Sequence, residues 1–177
     1  AQTDTMIFDK TGTLTIGETQ VIEICALDKE HSYKDIIKMA AIAEKRSGHV
    51  LSKAILNKAQ QENITVPDPD HYISVSGHGV EVDFGKEHFR LGSKHFIEAK
   101  DHGNIKVENM PVCANENTPH TSFYLACGDK LCGIICASDE VRKDAKETIK
   151  QLKKNGIQNF VLLSGDRQEI VNKVAEN

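Results

Sequence analysis

No stretch of about eighteen apolar residues occurs in the chain, so no segment is long enough to cross a bilayer as a helix. A secretory leader, with its basic start and apolar middle, is also missing. There is no basic excess either: 22 Lys and Arg stand against 26 Asp and Glu, a net charge of −4. That balance excludes the positive surface of a nucleic-acid binder. No internal repeat is present. The five Cys (25, 113, 127, 132 and 136) include no Cys-x-x-Cys pair, and the spacings of Cys127, Cys132 and Cys136 match neither a zinc ribbon nor a zinc finger. An odd count outside a secretory context predicts reduced, intracellular thiols. The apolar hairpin pattern SFYLACGDKLCGIICA (122–137) predicts the last three as small buried hydrophobes.

What the chain does contain is 177 residues, enough for one medium domain or two small ones with their own cores. Its polar opening, AQTDT, lacks an initiator Met, and its last residues, VAEN, follow a helical pattern directly; both ends predict a fragment of a longer chain. The apolar run TMIF (5–8) stops at DKTGT, and FVLL (160–163) stops at SGD (164–166). Each reads as a buried strand with polar residues beyond its carboxyl end, where ligands gather in open α/β sheets. Val141, Ala145, Ile149 and Leu152 recur at helical spacing, and Asn155-Gly156 predicts the end of that helix. A further helix is expected from Gln168, giving a parallel α/β unit.

The middle differs. TQVIEI (19–24), ISVSGHGVEVDF (73–84) and HFRLG (88–92) alternate like strands, and a hairpin is expected around Gly128-Asp129. Two amphipathic helices are expected over 33–46 and 49–61, and the polar stretch 100–120 reads as a mobile loop. His88, His95 and His102 recur every seven residues, but Gly92 and Gly103 prevent one helix from spanning them. An antiparallel α+β module thus interrupts an α/β one, whose first and last pieces belong together in space.

The most specific string is DKTGTLT (9–15). A carboxylate at a strand end can attack a phosphoryl group and split one hard transfer into two easier ones. Lys10, Thr11, Gly12 and Thr13 add charge, hydroxyls and backbone N–H groups suited to phosphate oxygens. This string resembles the phosphorylation motif of P-type ATPases, whose phosphorylation (P) domain has the haloacid-dehalogenase-like, Rossmann-like fold. The resemblance implies Asp9 as nucleophile toward the ATP γ-phosphate, Lys10 and Thr11 beside it, and Mg²⁺ held through Asp9 and Thr11. Phosphatases of that superfamily usually carry a second Asp where this chain has Thr11, acting as general acid/base. Thr11 implies a longer-lived phosphoenzyme, as a pump requires.

SGD resembles the family's second P-domain motif, implying roles for Ser164, Gly165 and Asp166, and DEVR (139–142) resembles the D-x-x-R at the re-entry into the P-domain. RSGHVLSKAI (46–55) resembles the Ser-Glu-His-Pro-Leu motif of the heavy-metal-transporting (CPx-type) branch, and SGHGV (76–80) its Gly-x-Gly-Val. The resemblance implies that His49 packs on adenine, while Gly77 and Gly79 admit the nucleotide close to the backbone. Gly48 stands where that family has Glu and Val50 where it has Pro, which implies weak ATP affinity or an altered pose.

The implied organisation is P-domain 1–18, an inserted nucleotide-binding (N) domain 19–136 on an antiparallel sheet, and a second P-domain piece 137–177. Residues 16–20 and 135–139 would be the hinges. The family's third P-domain motif, Gly-Asp-Gly-x-Asn-Asp, is not in the sequence, so the P-domain would be incomplete and turnover slight. Implied partners are ATP or ADP and the transmembrane and actuator domains of the same full-length chain. The transported heavy-metal ion, copper among the candidates, would bind outside this segment. The setting would be the cytoplasmic face of a membrane. A soluble phosphatase with an inserted cap and a non-catalytic nucleotide-binding module are the alternatives.

Overall fold

A computed structural model describes residues 3–47, 50–99, 105–107, 119–165, 171–172 and 174–175. Its order is β1 (Thr5–Asp9), β2 (Thr15–Ala26), α1 (Tyr33–Glu44), α2 (Val50–Gln61), β3 (His71–Val75), β4 (Gly79–Phe84), β5 (Glu87–Gly92), α3 (Lys94–Ile97), β6 (Thr121–Cys127), β7 (Lys130–Val141), α4 (Ala145–Lys154) and β8 (Asn159–Leu163). Two sheets result. β1 and β8 run parallel, while an antiparallel sheet of six has the order β2-β7-β6-β5-β4-β3. The mixed α/β character and the inserted antiparallel sheet agree with expectation.

Period-two patterning sets the six-stranded sheet. Val80 and Val82 of β4 turn into the core while Glu81 and Asp83 turn outward. On one face, α1 and α2 bring Ile36, Ile37, Ile42, Leu51 and Ile55 against Val82, Phe89, Leu91, Leu125 and Ile135. α1 lies close because Gly133 has no side chain: a Cβ there would meet Ile36 Cγ2 at 2.8 Å. A second cluster gathers Phe96, Ile97 and Ala126 with Ile105 and Val107. The stretch 100–120, expected as a mobile loop, falls largely outside the described residues, but 105–107 is anchored in that cluster.

α1 opens with a capping box in which Ser32 and Asp35 exchange side-chain-to-backbone bonds at 3.3 and 2.8 Å. α4 begins at Ala145, four positions later than the periodicity predicts, because Val141 pairs with Thr15 at the end of the β2–β7 ribbon. It ends as expected: Gly156 adopts φ 99°, and Ile157 N–H returns to Leu152 O at 3.2 Å.

The thiols depart from expectation. Cys132 and Cys136 are buried, but Cys127 and Cys132 are joined in a disulfide with a Cα separation of 6.0 Å. The tight turn and a register shift after Leu125 place both sulfurs on one face of the hairpin.

Candidate functional site

Asp9 ends β1, and its Cα is the partner of Leu163 at the end of β8. Ser164 and Gly165 therefore leave β8 beside the loop that starts at Lys10. Two segments more than 150 residues apart meet because a parallel pair brings both carboxyl ends to one side. Phe8 and Phe160 stack at 6.2 Å on the opposite face, and Gln158 and Asn159 N–H both bond Asp4 O at 2.9 Å, which sets the register.

Asp9 is exposed and extended (φ −72°, ψ 141°); the chain then turns sharply through Lys10–Leu14, with Gly12 at φ 79°. That left-handed conformation favours glycine. Lys10 is only 7 % exposed, so it is not a solvated flanking charge.

The loop is clasped from the far end of the chain. Asp139 accepts from the fully buried Thr15 hydroxyl at 2.5 Å and from Gly17 N–H at 2.9 Å. Arg142 Nε donates to Thr15 O at 3.2 Å and its backbone N–H to Leu14 O at 2.8 Å. Thr15 Oγ1 in turn accepts from Gly12 N–H at 3.3 Å. DEVR thus supplies the two side chains that hold the DKTGTLT loop in shape. The sequence shows both strings but not that one holds the other, since Asp139 lies 124 residues after Thr15.

Among the residues expected at a nucleotide, His49 lies outside the described residues, as do Gly48 and Asp166. Gly77 adopts φ 74° in the β3–β4 turn, with open space where a Cβ would be. Gly79 is different: a Cβ there would lie 2.5 Å from both Leu91 O and Phe96 Cδ1. Its glycine is required by internal packing. A residue that sequence reading passed over is Glu44, 7 % exposed at the end of α1, whose carboxylate accepts from Ser52 Oγ at 2.5 Å. The available signal was a charged residue within the apolar pattern MAAIAE. A cleft of about 550 Å³ between β2 and α2 is lined by Glu18, Lys53, Asn57, Lys58 and Gln61, and among the described residues by none of those expected at the site.

Oxygen donors at Asp9 and Thr11 suit a hard cation, since Mg²⁺ takes one or two protein carboxylates and completes its shell with phosphate oxygens and water.

The sequence profile of the haloacid dehalogenase-like hydrolases matches residues 3–177. A zinc-exporting P-type ATPase of Mycobacterium marinum is 31% identical over 173 residues, covering 98% of this chain and 24% of the relative. A copper-exporting P-type ATPase of Staphylococcus aureus is 31% identical over 175 residues, covering 99% of this chain and 21% of the relative. The chain therefore spans about a quarter of the length of these curated relatives. Among solved structures, a zinc-transporting PIB-type ATPase in its E2·Pi state superposes with a TM-score of 0.75 at 26% identity, over 99% of this chain and 28% of that one. The catalytic domain of a CPx-ATPase, 23% identical with a TM-score of 0.69 over 98% of this chain and 58% of that one, shares the fold. The chain belongs to the haloacid dehalogenase-like hydrolase family and is homologous to the nucleotide-binding and phosphorylation region of heavy-metal P-type ATPases.

Proposed function

We propose that this chain is the ATP-handling part of a heavy-metal-exporting pump, facing the cytoplasm, and that Asp9 is its phosphorylation site. The observation that carries the reading is the β1–β8 pairing, which sets Asp9 beside Ser164 and Gly165. An Asp9 carboxylate oxygen attacks the γ-phosphorus in line; its new O–P bond forms as the bridging bond to ADP breaks. Lys10 balances charge, and the hydroxyl of Ser164 and the backbone N–H groups of the loop orient the phosphoryl oxygens. Mg²⁺, when bound through Asp9 and Thr11, supplies neutralisation of the triphosphate. Thr11 cannot take a proton from an attacking water, so the aspartyl-phosphate persists. His49, Gly77 and Gly79 hold the adenosine end, in an N-domain spanning 19–136 between P-domain pieces 1–18 and 137–177.

Ile7 (60 % exposed), Val161 (44 %) and Leu163 (58 %) support a longer P-domain, because parallel strands are ordinarily covered on both faces. In the full-length protein, radiolabelled γ-phosphate from ATP should form an acid-stable phosphoenzyme that Asp9→Asn abolishes. Label retained by that variant would overturn the assignment. For the chain itself, ATP should perturb the amides of Gly77, Gly79 and His49 with weak affinity. Steady hydrolysis that Asp9→Ala removes would contradict the expected lack of turnover.

A further inference from the structure

Three metal-ligating side chains outside the phosphorylation site converge from two separate segments. His31 comes from the loop between β2 and α1, and Cys127 and Cys132 flank the β6–β7 turn. Their donor atoms all lie within 4.8 Å of one another. Leu27 N–H bonds Cys132 O at 2.9 Å, which ties the His31 loop to the hairpin. Within that loop, Asp28 Oδ1 accepts from His31 N–H at 2.8 Å and Glu30 N–H at 3.0 Å, while Asp28 Oδ2 lies 2.8 Å from His31 Nδ1. The carboxylate thus occupies one ring nitrogen and leaves Nε2 to ligate, the usual outer-sphere arrangement around a metal-bound histidine. The hairpin is pinned as well, since Arg90 donates to Gly128 O at 2.6 Å. A fourth soft atom is at hand: Met39 Sδ lies 3.8 Å from Cys127 Sγ. A cavity of about 260 Å³ shares His31 and Met39 with the cluster, and its charged lining is three carboxylates, Glu30, Asp35 and Glu87, against one ammonium, Lys38, a balance that favours the approach of a cation.

We infer that, with Cys127 and Cys132 reduced, they and His31 form a binding site for a thiophilic d¹⁰ cation, Cu(I) or Zn(II), with Met39 as a further soft donor. Two thiolates and an imidazole are the donors such ions select, and a thioether favours Cu(I). The site lies within the segment expected to hold no heavy metal, and it does not depend on the phosphorylation reading. The disulfide is its closed form. A phosphine reductant opens it by breaking the S–S bond: two electrons pass from phosphorus to the sulfurs, one water gives its oxygen to the phosphine oxide and its two protons to the thiols. Metal binding then releases those thiol protons.

The test uses the chain without nucleotide, reduced anaerobically with a phosphine, then titrated with Cu(I) against a chromophoric chelator and, separately, with Co(II) as a reporter for Zn(II). The expectation is one equivalent bound per reduced chain, a thiolate-to-cobalt charge-transfer band, and a melting temperature that rises with metal. The oxidised chain should bind none. Cys127→Ser with Cys132→Ser should weaken binding by about a hundredfold or more, and His31→Ala and Asp28→Asn by about tenfold each. Joint replacement Cys25→Ala, Cys113→Ala and Cys136→Ala should leave affinity unchanged. Because the double serine variant puts a hydroxyl in place of the buried Cys132 thiol, His31→Ala and Asp28→Asn, in a surface loop, decide the matter if it fails to fold. A reduced chain that cannot compete for either metal overturns the inference. So does full affinity in His31→Ala, or loss of binding in the triple alanine variant.

Discussion

Gly79 and Gly77 stand two residues apart and need glycine for different reasons. At Gly79 the space for a Cβ is filled by Leu91 O and the Phe96 ring, both at 2.5 Å. Gly79→Ala should therefore destabilise the chain by about 1–3 kcal/mol through overpacking, read as a lower urea midpoint with an unchanged slope. Gly77→Ala meets open space and only the cost of φ 74°, about 1–2 kcal/mol. Asp139 accepts two bonds from the segment that follows Asp9, from Thr15 Oγ1 at 2.5 Å and Gly17 N–H at 2.9 Å. Losing a hydrogen bond to a charged group costs about 2 kcal/mol, so Asp139→Ala should lower stability by that amount and slow phosphoenzyme formation in the full-length protein. Unchanged urea midpoints would refute the clasp. DKTGTLT was legible from the string alone because its chemistry is local. The clasp was not, because it joins residues distant in sequence.

Among the elements, α1 carries the clearest local signature. Its capping box satisfies N–H groups that the helix cannot satisfy itself. The Ser32 hydroxyl, followed by its backbone N–H, holds the Asp35 carboxyl below its ordinary 3.8. A depressed folded-state value means that this stabilisation is complete above the unfolded value and is lost as pH falls through the folded one. Asp35→Ala should cost about 1 kcal/mol at neutral pH, and the gap from the unaltered chain should close below about pH 4. Thermal melts across that range check it; a gap constant with pH would refute it. Helix periodicity located α1, α2 and the end of α4. It misplaced the start of α4 because Val141, apolar and in phase, is instead recruited by β2 as a strand partner.

Across the whole molecule, β2 and β7 run as one ribbon from the six-stranded sheet to the DKTGTLT loop, pairing Ala26 with Gly133 at one end and Thr15 with Val141 at the other. Register shifts fall between Thr15 and Thr19 and between Val21 and Glu23, beside the segments expected to act as hinges. The alternation of apolar and polar residues, the turn glycines and the short motifs were enough to determine the fold class and the inserted antiparallel module, and to single out Asp9 as the proposed reactive carboxylate. Each rests on residues close together in the chain. Tertiary structure alone decided the hold of Asp139 and Arg142 on the loop, the packing demand at Gly79, and the meeting of His31 with Cys127 and Cys132. Those depend on which strands pair and in what register, a choice made by burying the whole core at once.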